Sequence, residues 1–121
     1  MNLKKLKPIC YENSKLPIWL SKFAPINIWA ISLGPFVFCR GLMSPVTRRH
    51  ETIHFQQQIE LLFVGFYLLY IASFFINLVR LRDGHQAYLA IPFEREAYKN
   101  EMSVGYPSKR IRYSWMKYIR S

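Results

Sequence analysis

His50-Glu51-Thr52-Ile53-His54 is an HExxH pentapeptide that holds two of the chain's three histidines. Residues four apart share one face of an α-helix. His50 and His54 can therefore offer imidazole nitrogens to a single metal ion. Glu51 projects beside them, where its carboxylate can take a proton from a water that the metal has acidified. Two histidines and a general-base glutamate at this spacing form a zinc-hydrolase signature, and the chemistry expected is attack of water on a polarised carbonyl. The bare pentapeptide also fits two solvated histidines flanking a glutamate, so its weight rests on the elements that position it.

The sequence supplies a helix for it. Ser44 reads as an N-cap and Pro45 as the first helical position, and nothing from Val46 to Leu62 breaks a helix. Gln57 and Gln58 lie three and four residues beyond His54, on its face of that helix. They are candidates to orient a ligand or line a polar cleft; the alternative is that Gln56-Gln57-Gln58 is a polar surface patch.

Catalytic zinc usually takes three protein ligands and keeps one position for water, so a third ligand is needed outside the pentapeptide. Pro92 reads as the first position of a helix that Gly105 stops, which puts Glu94 in its first turn, 40 residues after His54. Here the chain resembles the gluzincin group of zinc metallopeptidases, in which an HExxH helix is completed by a glutamate on a later helix, within patterns such as ExxxD or ExxA. Glu94-Arg95-Glu96-Ala97-Tyr98 is similar to that second element. The resemblance implies Glu94 as the third ligand, with Glu96, roughly opposite on the helix, as the alternative. It implies a small packing residue at Ala97. Tyr98 stands where an aspartate is common, which removes a carboxylate that would support a ligand histidine; Gln57, Gln58 and Glu101 are available to replace it. HExxHxxQQ followed by an EREA helix is also similar to small bacterial and phage proteins of zincin type. The matching residues are 50–58 and 93–101, a minority of the chain. What the resemblance implies is a minimal zincin-like fold, Zn²⁺ as cofactor, and a peptide or protein substrate. His85, Tyr88, Tyr98 and Arg112 are candidates, by residue type, to stabilise an oxyanion.

The elements around these residues are unusually apolar. In 121 residues, 51% are hydrophobic and 17% aromatic, more than a chain of this length buries easily. Residues 61–79, LLFVGFYLLYIASFFINLV, carry no charge and are long enough to span a bilayer; the alternative is a buried core helix. The net charge is +10, with basic clusters at Lys4-Lys5-Lys7, Arg48-Arg49, Arg80 to Arg82 and Lys109 to Arg120. Basic residues bordering apolar runs suit anionic lipid headgroups and the cytoplasmic side of a membrane. No DNA- or RNA-binding motif accompanies this charge, and nucleic acid is not expected as a partner. Residues 1–21 read as a basic lead-in without the pattern of a signal peptide. Cys10 and Cys39 lack metal-binding spacing and are expected as thiols rather than a disulfide.

The reading is therefore one α+β, mainly helical domain with a short β-hairpin at residues 25–41 around Leu33-Gly34-Pro35. A long helix from Pro45 carries the motif and then the apolar run. Asp83-Gly84 is a turn, residues 87–91 are extended, and residues 92–104 form the second site helix. A last amphipathic helix follows Ser108, with Ile111, Ser114, Trp115 and Tyr118 on one face. Distance constrains this arrangement. One helix from Pro45 to Val79 would end 25 residues past His54, about 37 Å away, and the chain must then bring Glu94 back. A bend near Gly65 or an end near Ser73 eases the return, so a helix dipping into the membrane suits the site better than a simple crossing. The function expected is a membrane-associated zinc metallopeptidase with Glu51 as general base. A non-catalytic, zinc-stabilised membrane adaptor is the alternative.

Overall fold

The computed structural model describes residues 8–22, 30–33 and 35–119. Its elements run β1 (Ile9–Tyr11), α1 (Leu16–Ser21), β2 (Ala30–Leu33), β3 (Phe36–Cys39), α2 (Pro45–Glu60), α3 (Val64–Leu81), α4 (Gly84–Leu89), α5 (Pro92–Asn100), α6 (Tyr106–Lys109) and a 3-10 turn at Ser114–Tyr118. The architecture is α+β and mainly helical, with one three-stranded sheet.

The expected hairpin is there: β2 and β3 pair antiparallel, with Ala30 opposite Cys39 and Leu33 opposite Phe36. Residues 25–29 and Gly34 lie outside the described residues. The lead-in contributes more than basic charge. Ile9-Cys10-Tyr11 pairs parallel with β3, giving the strand order β1-β3-β2. Alternation along β3 places Val37 and Cys39 inward against Met43, with Cys10 and Ala30 packed on them. Both cysteines are free thiols. Glu12 ties this sheet to the motif helix, since its carboxylate accepts from the Met43 amide and lies 3.4 Å from Arg48.

Helix α2 starts as its residues dictate. Ser44 Oγ accepts from the Thr47 amide at 3.1 Å, and Pro45 stands in the first turn, where a missing N–H leaves nothing unpaired. It does not run on into the apolar stretch as expected. The chain breaks at Leu62 and Phe63, whose φ angles are 55° and 62°, and the Phe63 amide closes back on the Gln58 carbonyl at 2.7 Å. Left-handed backbone at residues with a Cβ costs on the order of 1 kcal/mol each. Packing on both sides of the break offsets this: Phe63 meets Phe55 at 6.3 Å, and Phe66 enters the core. This break is the bend expected near Gly65, placed two residues before it. Gly65 itself lies inside α3, where an added Cβ would stand 3.3 Å from Leu61 Cβ, so it permits close approach and does not make the turn. Nor does the helix end near Ser73, since α3 continues to Leu81.

One face of α3 turns inward. Phe66, with Tyr67, Tyr70 and Phe74 beside it, packs on Ile91, Phe93 and Trp115, and Asn77 Nδ2 donates to the Ala87 carbonyl at 3.2 Å. Fully burying one such large apolar side chain stabilises by about 1.5–3 kcal/mol. The opposite face leaves Leu68, Ile71, Phe75, Ile76 and Val79 exposed.

Residues 87–91 are not extended. Asp83 caps α4, its side chain accepting from the Gln86 amide at 2.8 Å, and the helix reaches Leu89. Extension is confined to Ile91, the residue before Pro92. Helix α5 stops at Asn100, short of the expected 104. The amphipathic helix after Ser108 is replaced by α6, an extended Arg110 and a left-handed Tyr113 (φ 61°) leading into the 3-10 turn. That break separates the residues expected on one face: Trp115 packs on Phe93 at 4.8 Å, while Ile111 is 69% exposed.

The Arg110 segment is fixed by charge. Its guanidinium, 4% exposed, meets Glu60 of α2 through both terminal nitrogens at 2.8 and 3.0 Å, and Glu96 of α5 at 2.6 and 3.1 Å. Arg110→Met leaves two buried carboxylates without their cation and is expected to destabilise the fold by about 3–5 kcal/mol. Urea unfolding measures this; a change below about 1 kcal/mol would show that the cluster is solvated.

Candidate metal centre

Helices α2 and α5 bring the predicted ligands together. His50 and His54, one turn apart on α2, place their Nε2 atoms 3.1 Å from each other. Glu94, in the first turn of α5, puts Oε1 3.1 Å from His50 Nε2 and 3.0 Å from His54 Nε2. All three residues are buried. Tetrahedral zinc with 2.0–2.1 Å bonds spaces its ligand atoms about 3.3 Å apart. The three donors need open by only a few tenths of an ångström to hold such an ion, and two imidazoles with one carboxylate are a donor set suited to a divalent metal. His50, His54 and Glu94 could therefore hold a metal ion.

Each ligand is oriented by a second group. His54 Nδ1 lies 2.8 Å from Gln57 Oε1. The amide orientation of Gln57 is set by its other end, where Nε2 donates to the Phe93 carbonyl at 3.1 Å and to Glu96 Oε1 at 2.9 Å. Gln57 Oε1 can only accept, so His54 Nδ1 carries a proton, and Nε2 is the nitrogen turned to Glu94 and available to a metal. His50 Nδ1 lies 3.0 Å from Glu101 Oε2, which gives His50 the same polarity. Glu94 Oε2 accepts from the Tyr70 hydroxyl at 2.6 Å. Such outer partners fix ligand orientation and basicity.

Among the other candidates, Glu51 is buried beside the two histidines and has no hydrogen-bond partner among the described residues. Burial raises its carboxyl above the usual range, against the pull of His54 and His50. The glutamine run is no surface patch. Gln56, Gln57 and Gln58 are all buried, and Gln58 accepts from the Tyr67 hydroxyl at 3.1 Å. Glu96 is turned away from the imidazoles toward Arg110 and Tyr106, which separates it from Glu94 as a ligand. The Tyr98 and His50 rings meet edge to face with centroids 4.5 Å apart, and the Tyr98 hydroxyl meets that of Tyr88 at 2.8 Å. The carboxylate that Tyr98 does not supply comes from Glu101, one turn further along the chain. His85 stands exposed on α4 with its ring 6.4 Å from Tyr88, and Arg112 is exposed; no contact joins either to the three ligands among the described residues.

Two functional partners escaped the sequence reading. Tyr70 lies within the uncharged run, where its spacing of three from Tyr67 was the one hint of a polar stripe. Arg110 was counted only as part of a basic cluster, and its acidic partners lie 14 and 50 residues away. Comparison with protein-family models, with curated proteins and with solved structures finds no match for this chain.

The electrostatics of the ligand group make a prediction for the metal-free protein. Burial presses the His54 imidazole down, but the adjoining Glu94 carboxylate more than reverses this and raises it from 6.5 to about 9. Burial would raise Glu94 too; the two imidazoles hold it well below the usual carboxylate range. A folded-state pKa above the unfolded one gives stability that is complete below pH 6.5 and lost as pH rises through about 9. Thermal unfolding in chelator should lose up to about 3 kcal/mol across that window. The loss should vanish in Glu94→Gln; an unchanged slope would mean that the two groups do not share a proton.

Proposed function

We propose that the chain is a membrane-associated, zinc-dependent hydrolase of peptide bonds with a gluzincin-like site. The observation that carries this reading is the convergence of His50 Nε2, His54 Nε2 and Glu94 Oε1 next to Glu51, which is buried and makes no hydrogen bond among the described residues. The two histidines and Glu94 would hold the zinc, which when bound supplies Lewis acidity toward water and a carbonyl oxygen. Glu51 takes the proton of the attacking water and delivers it to the leaving amine. Gln57 and Glu101 hold the two imidazoles in the tautomer that keeps Nε2 free. The HExxH spacing and the later glutamate helix support a zincin-like core and a peptide or protein as substrate. The burial of all three ligands favours, as a second reading, a zinc-stabilised membrane adaptor without catalysis.

Membrane association rests on α3. It is long and apolar enough to cross a bilayer, and only 11% of it is buried by the described residues. Its inner face is tied down by hydrogen bonds from Tyr67, Tyr70 and Asn77. A crossing would pull the attached polar helices into hydrocarbon, where unpaired polar groups are costly. The helix, about 27 Å long, therefore lies with its outer face in lipid, and Arg80 and Arg82 at its end suit the anionic cytoplasmic leaflet.

Purified wild type is expected to carry about one zinc per chain, as three protein ligands require, and Glu94→Ala to lose most of it in elemental analysis. Glu51→Gln should keep the zinc and lose hydrolysis by at least about 100-fold. Zinc-loaded wild type without hydrolysis of any peptide library would favour the adaptor. Wild type should float with anionic phospholipid vesicles, and Ile71→Glu combined with Phe75→Glu should remain in solution with its zinc retained. Equal flotation of the two would end the membrane assignment.

A further inference from the structure

Glu94 presents its two oxygens to different partners. Oε1 faces the two imidazoles, while Oε2 accepts a 2.6 Å hydrogen bond from Tyr70. A carboxylate can ligate a metal through one oxygen or both. Two-oxygen ligation would draw Oε2 to about 2.0–2.2 Å from the ion, pull it away from the Tyr70 hydroxyl and add a fifth donor beside the water.

The Tyr70 hydroxyl is held firmly. Its ring stacks parallel to Phe93 (centroids 6.4 Å, planes 6° apart) and leans on Phe66 at 5.5 Å. Phe93 immediately precedes Glu94 on α5, so the same helix turn that carries the carboxylate also seats the hydroxyl's ring. A tyrosine O–H has one proton to give, and the short distance to Oε2 shows where it goes.

We propose that Tyr70 is a positioning residue that confines Glu94 to one-oxygen ligation and so holds the metal at four donors, with water as the fourth. This rests on the metal-binding reading above. Tyr70 does its work from α3, a helix that supplies no ligand. Tyr67, one turn earlier on the same helix, has its hydroxyl on Gln58 instead and serves as the internal control.

The test uses Co²⁺ as the probe ion in the full-length protein, with visible absorption reporting coordination number. Wild type and Tyr67→Phe should both show the intense bands of four-coordinate cobalt. Tyr70→Phe, which keeps the stacking ring, should show the weaker bands of a five-coordinate ion and bind zinc about 10–100-fold less tightly, the usual cost of losing an outer partner of a ligand. Identical spectra for wild type and Tyr70→Phe would overturn the assignment of Tyr70 and leave the metal centre standing. No cobalt uptake by wild type would overturn the metal centre itself. A zinc-loaded crystal structure of wild type gives a second measurement that does not depend on the variant folding: one Glu94 oxygen on the ion supports the proposal, and two refute it.

Discussion

A carboxylate shut away between two imidazoles governs how this molecule is built. Buried charge is costly unless it is neutralised and every remaining lone pair is used. Glu94 meets that condition with both histidines on one oxygen and Tyr70 on the other. The condition then spreads outward. His50 needs Glu101, and His54 needs Gln57, whose amide in turn needs Glu96. Glu96 is itself a buried carboxylate and is answered by Arg110, which also answers Glu60. One continuous set of hydrogen bonds thus joins α2, α5 and the segment after α6. Helix pairing, site geometry and the path of the C-terminal segment are consequences of the same electrostatic requirement.

The parts of this arrangement that were legible in the sequence are the local ones. Ser44-Pro45 and Ile91-Pro92 mark helix starts because capping and proline geometry act within one turn, and both starts are observed. His50 and His54 face one point because they are four apart on a helix. The hairpin showed itself through β-branched and aromatic residues on either side of a Gly-Pro turn. Glu94 could be singled out through resemblance to a family pattern, and its convergence with the histidines follows from where α5 packs.

What was not legible depends on contacts distant in sequence or on backbone that no residue type announces. Leu62 and Phe63 adopt left-handed φ without a glycine or asparagine to signal it; the packing of Phe63 and Phe66 compels it. Residues 87–91 look extended by composition, but the Asp83 cap starts a helix just ahead of them. Glu101 and Arg110 find their roles 51 and 50 residues away in α2. Tyr70 sits in a run whose hydropathy is uniform, so the difference between its inward and outward faces appears only once α5 is packed against it.

The link at Leu62 and Phe63 has one further consequence, in angle rather than distance. An α-helix turns by about 100° per residue. The two left-handed residues therefore set the rotational phase of α3 relative to α2, and with it which side chains meet the imidazoles and which meet the surroundings. A single residue inserted there would leave helix length, charge and hydropathy almost untouched. It would nonetheless carry the hydroxyl of Tyr70 off Glu94 and roll Leu69 toward the site. In a helix whose polar stripe is only Tyr67, Tyr70 and Asn77, the hinge decides whether that stripe meets the site.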